Sequence, residues 1–78
     1  MIEIAAFPYL VKTKPKTPVQ GGGGLMARWC DMKGRIYEWD FQHGAIEKYT
    51  SRGQHLGEFD HLTGERLKPA DRNRWIEP

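Results

Sequence analysis

Only one cysteine, Cys30, stands among the 78 residues, so no disulfide can form within the chain. A lone thiol fits a reducing compartment at the site of action. No apolar run approaches the roughly 18 residues that cross a bilayer. "MIEIAAFPYLVK" lacks the basic start and long apolar stretch of a signal peptide. No segment carries a 3.6-residue hydrophobic period, which argues against helices. Recognised zinc spacings are missing too: Cys30, His43, His55 and His61 match no structural pattern and offer one thiolate. Nothing in the sequence marks Cys30 as an activated nucleophile, and Ser51 has no hydrolase context. "QGGGG" (20–24) precedes no P-loop helix, so it reads as a hinge rather than a phosphate cradle. A chain this short can bury only a marginal core.

What is present is unevenly placed. Residues 12–35 carry Lys12, Lys14, Lys16, Arg28, Lys33 and Arg35 against a single acid, Asp31. Residues 36–78 hold more acids than bases. A basic segment beside an acid-bearing body suits a polyanion such as nucleic acid. Pro8, Pro15 and Pro18 forbid a helix over the early chain and favour an extended form. The division expected is an extended Pro/Gly-rich N-terminal arm over 1–24 and a functional domain over 25–78.

From Arg28 onward, short β-prone runs alternate with glycine-bearing turns at hairpin spacing. The fold class expected is mainly β, a single small domain. It is a twisted antiparallel meander of about five strands, near 27–31, 35–42, 45–51, 54–60 and 65–68. "DHLTG" (60–64) reads as a type I turn closed by a left-handed glycine. Alternation puts Tyr37, Trp39 and Phe41 on one face and Glu38, Asp40 and Gln42 on the other. Trp29, Leu56 and Leu67 join the aromatic side as core candidates, and Trp75 is expected to fold back onto the sheet.

"YEWDFQHGAIEKY" (37–49) concentrates the chemistry. With His43-Gly44 as a two-residue turn, Asp40 would face Glu47 and Glu38 would face Tyr49. Two carboxylates would then stand side by side on a wet face, their Cβ atoms about 5 Å apart. Opposed like charges cost stability and favour protonation of one partner. A carboxylate base with a histidine acid beside it is an acid–base pair. The same residues would also serve as an ordinary polar hairpin.

The runs "PKTP", "KGRIYEWD", "QHG", "GQHLG", "FD" and "TG", with the glycine run before "RW", resemble the cytotoxic domain of the ribosome-inactivating nuclease colicins. The likeness spans about Lys14 to Asn73. It implies a twisted antiparallel sheet and a toxin endoribonuclease that cuts 16S ribosomal RNA at the decoding site and blocks translation. It further implies a C-terminal module of a larger secreted or contact-delivered bacteriocin that acts in the cytoplasm of the target bacterium. The partners implied are the bacterial ribosome and a cognate immunity protein, expected to be acidic. No metal or other cofactor is expected, and the free module is expected to be a monomer.

By the resemblance, the catalytic residues are Asp40, His43, Glu47 and, near the end of the chain, Arg72, with Arg74 close by. Glu47 is the expected base toward the 2′-hydroxyl and His43 the acid toward the leaving 5′-oxygen. Asp40 orients His43, and Arg72 faces the phosphate. The acid and base roles are open to exchange. RNA contacts are expected from Lys14, Lys16, Arg28, Lys33, Arg35, Tyr49, His55 and Arg74. One departure is "LMAR" (25–28), where the family is rich in Lys and Arg, so "KTKPK" carries more of the phosphate contact. A non-catalytic ribosome-binding module and a transfer-RNA-directed toxin are the alternatives.

Overall fold

A computed structural model describes residues 4–78. Six strands form one antiparallel sheet in sequence order: β1 Val11–Thr13, β2 Arg28–Cys30, β3 Ile36–Asp40, β4 Ala45–Tyr49, β5 His55–Asp60 and β6 Arg66–Lys68. No helix occurs among the described residues. The five expected strands are β2 to β6. The sixth, β1, lies in the Pro/Gly-rich arm, where Lys12 pairs with Trp29. A three-residue strand between proline-bearing segments carries little local signal; only pairing with β2 reveals it.

The β3–β4 register departs from the two-residue turn. Asp40 pairs with Ala45 and Glu38 with Glu47, leaving Phe41–Gly44 as a four-residue loop. The cause is Asp40. Its Oδ1 accepts the backbone N–H groups of Gln42 (3.1 Å) and His43 (3.3 Å), and Gly44 closes the loop at φ 63°. The β5–β6 loop repeats the device. Asp60 Oδ1 accepts from Leu62 (2.8 Å) and Thr63 (2.9 Å), and Gly64 sits at φ 79°. "DFQHG" and "DHLTG" thus share one Asp-x-x-x-Gly loop, an aspartate-initiated turn ended by a left-handed glycine.

Both faces of the sheet are covered. Ile4, Trp29, Tyr37 and Ile46 form the apolar core, with Phe7, Leu10, Ala27 and Trp39 packed against it. Residues ahead of β1 therefore supply one wall. Phe41 and Leu67 are not in this core: Phe41 is lifted out by the loop and Leu67 sits on the edge strand, both exposed. Trp75 returns to the sheet through its backbone, bridging Gln54, but its indole stays exposed. The opposite face is polar and still buried. Arg28, Glu38, Asp40, Glu47, His55 and Glu58 are all under 9% exposed. The tail shields part of it, because Ile76 N–H donates to the Gly53 carbonyl (2.9 Å) and His55 N–H to the Arg74 carbonyl (3.0 Å). A Cβ on Gly53 would collide with the Ile76 carbonyl, so the tail docks only because that side chain is absent.

Candidate active site

The register places three glutamates in a row across the sheet. Glu38 on β3 pairs with Glu47 on β4, which pairs with Glu58 on β5. Neighbouring carboxylates buried together need separate compensation; Glu38 and Glu47 have it and Glu58 does not. Glu38 Oε2 accepts from Arg28 Nε (3.1 Å), Arg28 Nη2 (2.9 Å) and the Thr17 hydroxyl (2.5 Å). Glu47 Oε1 accepts from His55 Nε2 (2.8 Å), and its Oε2 lies 3.4 Å from Arg74 Nη1. For Glu58, burial first, then a hydrogen bond with Glu47 and the charge of Glu47, raise the pKa, against opposing pulls from Lys68 and His43.

His43 is set by the loop. Asp40 uses one oxygen to build the turn and the other, Oδ2, to accept from His43 Nδ1 at 2.7 Å. The ring's second nitrogen, Nε2, is left free, and the side chain is 57% exposed. His55 is the opposite case. Its Nδ1 accepts the Asp71 N–H at 2.9 Å, so its proton sits on Nε2 and points at Glu47. One histidine is open to solvent at Nε2; the other is a buried clamp.

The arginine that reaches the cluster is Arg74. Its guanidinium stands over the Tyr49 ring, 5.8 Å from the centroid. Burial works against its charge, but Tyr49, Glu47 and Asp40 more than offset this and raise its pKa. Burial likewise raises the pKa of the Tyr49 phenol, with Arg74 pulling the other way. Arg72 is exposed, with no side-chain hydrogen bond or ion pair among the described residues.

The remaining expected contacts are scattered. Arg28 is 2% exposed and committed to Glu38, so it is not a surface phosphate ligand. Tyr49 and His55 are buried behind Glu47. Lys33 and Arg35 lie in the β2–β3 turn, at the far end of β3 from Asp40; Arg35 Nε is paired with Asp31 Oδ2 at 2.7 Å. Lys14 and Lys16 are exposed on the arm, with Lys16 Nζ donating to the Pro78 carbonyl (2.6 Å).

Two clefts meet at His43 and Arg74. One, of ≈ 210 Å³, is charged, lined by His43, Glu47, Glu58, Lys68, Asp71 and Arg74. The other, of ≈ 490 Å³, has Asp40, His43 and Arg74 at its inner end and uncharged Thr17, Val19, Gln20, Met26 and Gln42 along its remaining walls. The arm thus builds one wall of the site, and Gln42 Nε2 fastens it by donating to the Gln20 carbonyl (3.2 Å). Asp40, His43, Glu47 and Glu58 offer ligand atoms within 4.8 Å of one another, close enough to hold a cation. Of the zinc candidates weighed from sequence, only His43 belongs to this group.

Of the site residues expected from sequence, the fold gathers Asp40, His43 and Glu47, and it adds Glu38, Glu58 and Thr17, which were not among them. The repeated Asp-x-x-x-Gly signature was the available signal. It sets the β3–β4 register and with it the row of glutamates.

The Cytotoxic family matches residues 2–77. The chain is 54% identical over 77 residues to colicin-E6 and 52% identical over 77 residues to cloacin, both of Escherichia coli, with 96% of this chain covered in each case. It is 58% identical over 65 residues, 81% of this chain, to colicin E3 of Escherichia coli. It spans 14%, 14% and 12% of the length of these relatives, respectively.

Proposed function

The chain belongs to the Cytotoxic family, the cytotoxic domain of E-group colicins, and from that premise we propose that it is the ribonuclease module of a larger colicin-type toxin. Its target is 16S ribosomal RNA at the decoding site, cut by transesterification without a metal ion. In this reading residues 1–24 bring the basic arm to the RNA and residues 25–78 carry the chemistry.

RNA brings its own nucleophile, the 2′-hydroxyl. Glu47 removes its proton, the 2′-oxygen bonds to phosphorus, and the bond to the 5′-oxygen breaks. His43 Nε2 supplies the proton to the leaving oxygen. The products are a 2′,3′-cyclic phosphate and a 5′-hydroxyl. Asp40 holds His43 through Nδ1, and His55 holds Glu47. Arg74, rather than Arg72, meets the charge developing on the phosphate, because it alone of the two stands against Glu47. The phosphate suits the first cleft, and a flanking nucleoside suits the part of the second that is walled by uncharged side chains.

The observation that carries this reading is the pairing of an exposed histidine, tied at Nδ1 to a buried aspartate, with a buried glutamate clamped by a second histidine and an arginine. A solvated hairpin has no use for that arrangement. The test is incubation of the protein with bacterial ribosomes in EDTA, followed by a denaturing gel, with transfer RNA and His43→Ala in parallel. The expected result is one small fragment from the 3′ end of the 16S RNA, absent with His43→Ala and abolished by the cognate acidic immunity protein. Intact ribosomal RNA from folded wild-type protein would refute it. Cleavage of transfer RNA alone would redirect the target, and cleavage only with added divalent cation would assign a metal to the Asp40–His43–Glu47–Glu58 group.

A further inference from the structure

Glu58 has no part in the mechanism above, yet it lies in the same charged cleft, 5% exposed. Strand pairing puts it opposite Glu47 on β4 and opposite Lys68 on β6. Its Oε1 is 3.7 Å from His43 Nδ1. The groups around it are Glu47 on β4, Asp40 and His43 at the β3–β4 hairpin, His55 at the head of β5, Lys68 on β6, and Asp71 and Arg74 from the tail. The nearer cations are already engaged: His43 Nδ1 is closer to Asp40, at 2.7 Å, and Arg74 lies against Glu47. Lys68 is exposed to solvent. Glu58 therefore lacks the strong ion pair that Glu38 has in Arg28. Two buried carboxyl groups side by side, with one set of cations between them, share a proton. The upward pull on the Glu58 pKa from burial and from Glu47 is in keeping with this.

We propose that Glu58 is a positioning residue of this ribonuclease: its carboxyl keeps a proton, donates it in a hydrogen bond to Glu47, and so holds Glu47 ionised as the base without a second negative charge facing the scissile phosphate. The inference rests on the ribonuclease reading. No proton leaves Glu58 during the reaction; the 2′-hydroxyl proton goes to Glu47. Raising the pH strips the Glu58 proton, and the added charge then repels the RNA phosphate.

The test is KM and kcat against pH for the wild type and Glu58→Gln on an RNA substrate containing the cleavage site. In the wild type, KM rises roughly tenfold as Glu58 ionises, the effect of one added charge near a phosphate in a partly hydrated cleft. Glu58→Gln keeps a donor to Glu47 but cannot ionise, so its KM stays level over the same range. A KM that climbs equally in both proteins overturns the inference. Independently of turnover, carbon-13 NMR titration of the glutamate carboxyls is expected to show Glu58 titrating above the ordinary glutamate range in the wild type and falling back in Glu47→Gln. An ordinary titration for Glu58 in the wild type also overturns it. Absence of RNA cleavage by the wild type overturns the ribonuclease reading, and the positioning role with it. Cleavage with a level wild-type KM removes the Glu58 role alone.

Discussion

Arg28 offers the sharpest separation between a residue that touches RNA and one that holds the sheet together. Its guanidinium donates twice to Glu38 Oε2, at 3.1 and 2.9 Å, and once to Thr17 Oγ1, at 3.1 Å. Both charged side chains are almost fully buried, at 3% and 0% exposure. Removing one partner of such a pair leaves the other charge stranded and costs about 3–5 kcal/mol. A 78-residue domain is stable by only about 4–12 kcal/mol in all. At about 4–8 °C per kcal/mol for a domain of this size, Arg28→Ala should lower Tm by on the order of 12–40 °C. The double variant Arg28→Met/Glu38→Gln removes both charges at similar volume and should recover most of that loss. Urea denaturation and thermal circular dichroism of the three proteins read this directly. RNA affinity against salt supplies the control. A lost phosphate contact lowers the salt slope by roughly 0.7 for single strands. An Arg28→Ala protein with near wild-type stability and a reduced salt slope would refute the structural assignment and restore Arg28 as a phosphate ligand.

The tail arginines should separate as cleanly. Arg74→Ala is expected to slow cleavage by roughly 10²–10³-fold, the usual loss for a donor aimed at developing charge. Arg72→Ala should cost roughly fivefold at most, as for an exposed charge. The reverse order in single-turnover assays would return the role to Arg72. In the β2–β3 turn, burial opposes ionisation of Asp31, but hydrogen bonds from Arg35, Tyr37 and Lys33 hold its pKa at about 2. The unfolded value is about 3.9, so this depressed group contributes stability above pH ~4 that is lost as pH falls through about 2. Asp31→Asn should therefore be less stable than wild type by about 1–2 kcal/mol at pH 7, allowing for the partly exposed Arg35 partner. The gap should close between pH ~4 and ~2 in thermal melts, and a gap constant with pH would contradict it.

Much of the architecture was legible because its signals are local. Glycine turns separated by short alternating runs mark a meander, and β2 to β6 follow one another in that order. "DHLTG" was read as its loop type from residues alone, since an aspartate capping two N–H groups and a left-handed glycine need no distant partner. The same logic in "DFQHG" was hidden by the adjacent His43-Gly44, which mimics a two-residue turn. That misreading moved every β3–β4 pair by two positions. A two-residue slip preserves the face of each side chain, so Asp40, His43 and Glu47 still came out together.

The sequence by itself determined the order of β2 to β6, the grouping of Asp40, His43 and Glu47 and the side of the sheet that the acids occupy, because side-chain alternation and turn chemistry act over a few residues. Only the tertiary structure decided that the polar side is buried rather than wet, since that depends on the tail crossing Gly53 and on Thr17 arriving from the arm. It alone turned Arg28 inward, chose Arg74 over Arg72 to face Glu47, and stood Glu58 next to Glu47. Each of these is a contact between segments distant in sequence, and its energy depends on burial and on neighbouring charge, which exist only once the sheet has closed over them.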